Sequence, residues 1–286
     1  MDTGSFLTNL RDIQRGMSMK KRIYSLILAA VLLLGLCGCN ENTDGIPVDA
    51  FRTFQKYLEA CENRDQDAFW DLVHYEGMDY YIALESGASP FQCSDLQWTR
   101  VTDQLYYCSF VYSDGAAMTR FVGVVEGRWR VMTSVRNIPK ALRESAGLVV
   151  DPNEKYEQHY APNAVYEWFR QYSEACKQGY SDAVAAKYMY FKSAENQAGE
   201  MDPERKLTSY EMLSSMRVGY DLVIIQYSLA TNQNPLETKK TIFVGVMDNE
   251  LRIIPNVDNI PDELLVGVDM DLIRGYKDGT IRFPGG

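Results

Sequence analysis

The chain has 286 residues, of which 46% are hydrophobic and 24% charged, an ordinary globular composition with room for about two domains. The net charge is −10, and because the first 38 residues carry +3, the remainder carries −13. An acidic body repels phosphate backbones, which argues against nucleic acid as a partner.

The N-terminal segment has the pattern of a secretion signal. After Met19, three basic residues (20–22) precede an uncharged, mostly apolar run of 16 residues, 23–38. This run is short for a membrane span of ~20 residues and fits a signal peptide, with an uncleaved signal anchor as the alternative. Residues 1–16 precede this better start and are interpreted as an upstream-start artefact or a dispensable extension.

The apolar run ends in Leu36-Cys37-Gly38-Cys39, which resembles a bacterial lipobox. That resemblance implies that Cys39 becomes the new N-terminus, carries fatty acid such as palmitate, and anchors the chain to the extracytoplasmic face of the membrane. A shifted cut before Cys37 is the alternative, but Leu36 is bulky for the position preceding the cut. We therefore expect lipid attachment at Cys39.

Two segments, one at the start of each copy of a repeated pattern, predict equivalent helices. Residues 49–62 and 164–177 share five of 14 positions, and each has apolar residues at helical spacing. The predicted buried positions are Phe51, Phe54, Leu58 and Cys61 in the first segment, and Tyr166, Phe169, Ser173 and Cys176 in the second.

A second predicted helix follows each of these after a polar break. In the first copy Asp65 or Asp67 is the candidate N-cap, and in the second copy Ser181 or Asp182. Without a gap, this alignment pairs three positions of the two copies: Asp67 with Asp182, His74 with Met189, and Tyr75 with Tyr190.

The following stretches predict four strands in each copy. Residues 96–112 form two strands around a turn at 103–104, and a turn at 126–127 joins the next two; the second copy repeats this order with a longer loop and a turn at 248–249. Residues 121–142 and 243–264 are identical at 10 of 22 positions. One strand face is apolar, which favours an antiparallel sheet packed on helices. Its residues are Tyr106, Cys108, Phe110 and Tyr112, matched by Val223, Ile225, Tyr227 and Leu229.

The order of helices followed by an antiparallel meander occurs twice in the sequence. It predicts an α+β protein of two tandem repeats. The expected divisions are 1–38 for the extension and signal peptide, 39–48 for a tether, 49–145 for the first repeat, 146–162 for a linker, 163–268 for the second repeat and 269–286 for a C-terminal tail.

This element order, with a lead helix ending in Glu-Ala-Cys and a final RWRV or ELRI strand, resembles the nuclear transport factor two-like superfamily. The superfamily has a cystatin-like α+β fold, includes ketosteroid isomerase, and has lipoprotein members. The resemblance implies N-terminal helices packed on a curved, cone-like sheet. It leaves function open, because this fold carries enzymes, ligand carriers and structural modules.

Motifs for catalysis, metals or cofactors are absent from the sequence. The chain has two histidines, no phosphate-binding glycine loop and no C-x-x-C pair, so we predict no catalytic residue, no metal and no cofactor. We expect no disulfide, because a simple turn at 103–104 places Cys108 near Thr99 and away from Cys93.

The weak pocket candidates come from the family resemblance and from the pairing of the copies. Ketosteroid isomerases use a carboxylate and a tyrosine inside the cone, and no inward carboxylate maps onto this chain. The candidates are Tyr57, Tyr75, Tyr172, Tyr190, Arg130 and Arg252. Core filling is favoured for the tyrosines, and an outward strand position with an acidic neighbour is favoured over an anion contact for the arginines. Ile138 and Ile260, in the shared Asn-Ile-Pro, are expected to cover the open edge of each core.

The sequence therefore predicts an exported lipoprotein with a noncatalytic binding or scaffolding role at the cell envelope. Its expected partners are the membrane, through the lipid, and a small apolar ligand or an envelope protein, with a groove at the junction of the repeats. One alternative is an isomerase- or dehydratase-like enzyme that uses a carboxylate and a tyrosine in one cone. The other is a structural spacer.

Overall fold

The computed structural model describes residues 45–112, 114–150 and 161–277. The signal segment, the lipobox and Cys39 lie outside these residues, as do 151–160 of the expected linker and the last nine residues of the expected tail. None of the helices in the described part is long and apolar enough to cross a membrane.

Each repeat has three helices followed by four strands. The first repeat has α1 (Val48–Asn63), α2 (Gln66–Leu72), α3 (Gly77–Ser86), β1 (Cys93–Thr102), β2 (Leu105–Tyr112), β3 (Ala117–Val125) and β4 (Arg128–Met132), then a 3-10 turn (Val135–Asn137) and α4 (Lys140–Ser145). The second has α5 (Asn163–Cys176), α6 (Asp182–Tyr188), α7 (Ala194–Glu200), β5 (Leu207–Arg217), β6 (Leu222–Thr231), β7 (Thr238–Met247) and β8 (Glu250–Ile254), then 3-10 turns (Val257–Asn259 and Asp262–Leu265) and α8 (Met270–Lys277).

The two sheets have the same topology, and the predicted α+β class is confirmed. Their strand orders are β1-β2-β3-β4 and β5-β6-β7-β8, with every neighbouring pair antiparallel. The predicted hairpin turns are also confirmed. Glu126 and Gly127, and likewise Asp248 and Asn249, have positive φ values between 51° and 76°, as a two-residue hairpin requires.

The helices cover one face of each sheet. In the first repeat Phe54, Cys108 and Phe110 lie in this core, and in the second Phe169 and Ile225 do. The predicted lead-helix face is correct at Phe54 and Cys61 and at Phe169, Ser173 and Cys176. It is wrong at Phe51, Leu58 and Tyr166, which are only half-buried, because the buried stripe instead includes Ala50, Tyr57, Val165 and Tyr172.

The opposite face of each sheet carries a smaller core, covered by the chain that follows the last strand. Ile138 and Leu142 pack there with Phe121 in the first repeat, and Ile260 packs with Phe243 in the second. The expectation that Ile138 and Ile260 close a core edge was therefore wrong. The 3-10 turn after the last strand places each isoleucine on the sheet face opposite the helices.

A β-bulge changes the predicted register of the first hairpin. The register shifts between Arg100 and Thr102, so Cys108 lies opposite Trp98 and not opposite Thr99. Cys93 pairs with Tyr112, at the other end of the hairpin. None of the cysteines in the described residues is in a disulfide.

The alignment of the second helices was wrong by one residue. Parallel bridges join Val73 to Val131 and Met189 to Ile253, so Val73 corresponds to Met189. His74 and Tyr190 follow them, and their N–H groups donate to the carbonyls of Val131 and Ile253. Tyr190 is therefore equivalent to His74 and not to Tyr75. By the same offset Gln66, and not Asp67, corresponds to Asp182, since α2 begins at Gln66 and α6 at Asp182.

Candidate binding site at the junction of the repeats

The start of α3 is bound by a carboxylate from the other repeat. Asp221, in the β5–β6 loop, accepts the N–H of Met78 through Oδ1 at 2.8 Å. Its Oδ2 lies 3.0 Å from Nη2 of Arg136, whose guanidinium stacks 3.4 Å from the ring centroid of Tyr220. Burial raises the pKa of Asp221 and lowers the pKa of Arg136. The two repeats are thus joined by a partly desolvated ion pair.

Gly77 is required for this close approach. A Cβ at Gly77 would lie 2.2 Å from Asp221 Oδ1, and the residue has φ +61°. Only glycine adopts that conformation at no steric cost while leaving room for the carboxylate.

A second ion pair crosses the junction beside the first. Arg217, which is 4% exposed, donates to Asp79 Oδ1 at 3.2 Å and to the carbonyl of Tyr220 through Nε at 2.8 Å. Asp79 Oδ2 accepts from Nδ2 of Asn137 at 3.3 Å. The junction therefore contains two acidic and two basic groups, an arrangement that leaves no net charge to be buried.

Apolar contacts extend the same junction along α3. Met78 is fully buried in the helix-covered core of the second repeat, and Tyr81 and Ile82 pack against that core. The hydroxyl of Tyr81 donates to the carbonyl of Asn249 at 3.0 Å. The first repeat thus contributes one helix to the second repeat's packing.

A groove of about 600 Å³ opens where α3 meets α5, α6 and β8. Its aromatic lining comes from Tyr81 and Trp168. Charged side chains of both signs surround these two, namely Glu167, Lys187, Glu250 and Arg252. The indole of Trp168 packs on Tyr188 with centroids 5.0 Å apart. Its Nε1 is buried and has no hydrogen-bond acceptor within the described part of the chain. The groove combines an aromatic surface with charged margins, as small-molecule and peptide sites do.

The structure brings two of the predicted tyrosines, Tyr57 and Tyr75, together in the first helix-covered core and places the other two elsewhere. Tyr57 lies in the first helix-covered core, where its hydroxyl accepts from Nε of Arg120 at 3.3 Å. Tyr75 packs against the same core, and burial raises its pKa to about 12. Tyr172 is in the helix-covered core of the second repeat, where burial raises its pKa well above the usual value. Tyr190 packs against the opposite-face core.

The two predicted arginines bind the ends of equivalent helices. Nη1 of Arg130 donates to the carbonyl of Asp71 at the end of α2. Nη1 of Arg252 donates to the carbonyls of Ala186 and Lys187, at 3.2 and 3.0 Å, near the end of α6. A cation at a helix C-terminus stabilises its last carbonyls. Arg252 also lines the groove, whereas Arg130 does not.

Sequence reasoning missed the groups that build the junction. Asp221 lies in a short polar loop, and Asp79 lies in a helix that did not stand out by periodicity. In the sequence, Trp168 occupies a position of the lead helix outside the predicted buried face, and no other feature marked it. A signal did exist for Arg120, because it occupies a core-facing strand position where the second repeat has Ile242.

Comparison with known proteins gives likenesses among solved structures. No family model and no curated protein sequence matches this chain. Among solved structures, one described as an "Ntf2 like protein involved in plasmid conjugation" is similar to it, with 7% identity and a TM-score of 0.26, covering 73% of this chain and 96% of that one. At that TM-score the likeness carries no argument about function, so the role of this site is inferred from its own geometry.

Proposed function

We propose that this protein is a membrane-tethered extracytoplasmic lipoprotein with a noncatalytic binding or scaffolding role at the cell envelope. The lipobox at Cys39 supports the tether, and a mature chain of charge −13 fits a soluble body held at a surface. The observation that carries the binding role is the groove between α3 and the second repeat, whose walls come from both repeats. We further propose that each repeat is a nuclear transport factor two-like domain, as the order of its elements suggests.

The chemistry of the groove favours a peptide segment of an envelope protein as its occupant. Tyr81 and Trp168 offer aromatic surface for an apolar side chain. Lys187 and Glu250 add charges of both signs at the margin. A small apolar ligand is the alternative occupant.

Two placements support a noncatalytic role over the isomerase-like alternative. The charged group beside Tyr57 is the cation Arg120, whereas the isomerase-like alternative needs a carboxylate as its base. Of the carboxylates that follow Tyr75, Glu76 lies 3.3 Å from Nε2 of His74, and Asp79 is bound by Arg217 and Asn137. Neither tyrosine therefore has a free base as its hydrogen-bond partner among the residues described.

Metabolic labelling tests the tether. Cells that express the full chain are fed a radiolabelled or alkyne-bearing fatty acid, and the membrane fraction is examined. Label and membrane association should be lost in Cys39→Ala and retained in Cys37→Ala. The tether assignment is wrong if Cys39→Ala still takes up lipid and stays in the membrane.

Site-specific photo-crosslinking tests the groove. A benzophenone amino acid is placed at Gln171, which lines the groove, and as a control at Leu236, an exposed apolar residue in the β6–β7 loop. We expect a discrete envelope-protein adduct from position 171 only, and we expect Trp168→Ala to abolish it. Equal adducts from both positions, or adducts that survive Trp168→Ala, would contradict the proposal.

A further inference from the structure

The helix-covered core of the first repeat contains a buried cation at a strand position where the second repeat has isoleucine. Trp98, Cys108 and Arg120 form one row across β1, β2 and β3, since Trp98 pairs with Cys108 and Cys108 with Arg120. The row in the second repeat is Ser215, Ile225 and Ile242. Ile242 is 2% exposed, so this fold accepts an aliphatic side chain where the first repeat has arginine.

Arg120 has only neutral hydrogen-bond partners. It is 9% exposed, and its three nitrogens donate to the hydroxyl of Tyr57 (3.3 Å), the carbonyl of Thr119 (2.8 Å) and the hydroxyl of Tyr112 (3.3 Å). Within the described ranges it forms no ion pair with a carboxylate. Burial raises the pKa of Tyr57 well above its usual value, so this phenol stays neutral at pH 7.

A buried charge without an opposite charge is costly to the folded state. The second repeat folds with the buried Ile242 at this position, so the fold does not require an arginine here. The free-energy cost of burying Arg120 therefore needs another explanation. An anion that binds the guanidinium would supply the missing charge.

A hydrogen-bond donor in the same core lacks an acceptor. Nε1 of Trp98 is buried with no partner among the described residues, and its ring packs on Phe51 with centroids 6.1 Å apart. At the equivalent positions of the second repeat, Ser215 Oγ donates to Tyr166 at 2.7 Å, so that donor is satisfied. The unmatched indole N–H of Trp98 therefore lies in the same strand row as Arg120.

Aromatic side chains lie beside the guanidinium at the rim of this core. Phe91, in the loop before β1, stacks on Phe110 at 5.9 Å and contacts Tyr112 at 5.0 Å. Phe91 and Tyr112 are only partly buried, so this end of the core borders solvent. Arg120 itself lies 5.8 Å from the ring centroid of Phe110.

We propose that the first repeat binds a small organic carboxylate, with the carboxylate on Arg120 and the apolar body against Phe91. The second repeat, which has Ile242 in place of the arginine, does not bind this ligand. This site is separate from the junction groove, so it can be present or absent independently of the groove's function.

Titration with sodium decanoate and sodium benzoate tests the site, with 1-decanol and benzyl alcohol as the matched neutral probes. The variants are Arg120→Ile, which installs the side chain of the second repeat, and Arg128→Gln, an exposed control on β4. Binding is followed by calorimetry and by the four indole N–H signals in ¹H–¹⁵N spectra, assigned with single Trp→Phe variants.

We expect saturable binding of a carboxylate and no comparable binding of its alcohol. We expect the Trp98 indole signal to shift on binding, and we expect affinity to fall more than about tenfold in Arg120→Ile but not in Arg128→Gln, since a charge-assisted hydrogen bond accounts for about that factor. The proposal is overturned if neither carboxylate binds, if the alcohols bind equally well, or if folded Arg120→Ile binds as tightly as the wild type.

Discussion

At the scale of single residues, the shared Asn-Ile-Pro segments have a clear structural role. Asn137 is fully buried, and its Oδ1 accepts the N–H of Glu76 at 2.8 Å while its Nδ2 donates to Thr133 at 3.0 Å. In the second repeat, Oδ1 of Asn259 accepts the N–H of Lys192 at 3.0 Å. Each asparagine thus ties the turn after the last strand to the chain that leads into the third helix.

Replacing these asparagines tests that role. Asn137→Ala and Asn259→Ala should each lower the free energy of unfolding by about 2 kcal/mol, because each removes a buried side chain that binds the chain before the third helix. Denaturant unfolding measures the change. Asn63→Ala, which removes an exposed bond to Glu59, is the control and should change stability by less than about 0.5 kcal/mol. Equal effects at Asn63 and Asn137 would contradict the assignment.

The buried phenols and thiols predict a loss of stability at alkaline pH. Burial raises the pKa of Cys61 from 9.0 to about 11, and raises the pKa of Cys176 from 9.0 and of Tyr75 from 10.0, each to about 12. A raised pKa in the folded state means that the unfolded chain loses its proton first. The stabilisation is therefore complete below pH 9 and is lost as the pH rises toward 12.

Thermal unfolding between pH 8 and 11.5 measures this loss. Each group contributes up to about 1.4 kcal/mol per pH unit across its own window. Tyr75→Phe should make the decline above pH 10 shallower, and its difference from the wild type should stay constant below pH 9. A wild-type stability that does not change between pH 9 and 11 would show that these groups are not buried as described.

At the scale of elements, the strands and hairpins could be predicted because alternation and turn residues are local signals. The turns at 126–127 and 248–249 are examples. The register of β1 could not be predicted, because the bulge in this strand depends on packing with distant residues and has no local sequence pattern. The offset of α6 was missed because one extra residue lies between the lead helix and α6. The partners of Asp221 are distant in the chain, and so the junction had no local signal.

The glycine shared by the third strands of the two sheets has a packing reason. A Cβ at Gly123 would lie 2.9 Å from both Leu105 Cδ1 and Met132 Cε, and one at Gly245 would lie 2.4 Å from Leu264 Cδ1. These contacts belong to the opposite-face core, which the chain after the last strand covers. The glycine therefore allows that covering segment to approach the sheet.

Alanine at these positions should overpack the opposite-face cores. Gly123→Ala and Gly245→Ala are expected to lower the free energy of unfolding by about 1–3 kcal/mol. Gly199→Ala is the matched control, because a Cβ at this helical position meets no atom within 4 Å and should be neutral or slightly stabilising. Denaturant unfolding distinguishes them, and a neutral Gly123→Ala would contradict the packing described.

At the scale of the whole molecule, the two repeats behave as one body because charge and packing cross their junction. Asp221 binds both α3 and Arg136, and Met78 lies in the second repeat's core. The groove depends on this arrangement, since Tyr81 reaches it only from α3. Two repeats joined in this way present the groove in a fixed orientation.

Differential scanning calorimetry of the mature chain tests this coupling most directly. Asp221→Ala removes the acceptor of the Met78 N–H and the partner of Arg136, so it should separate the unfolding of the two repeats. We expect one transition for the wild type, with equal calorimetric and van't Hoff enthalpies, and two transitions for Asp221→Ala. Two independent transitions in the wild type would contradict a coupled junction and the groove that it supports.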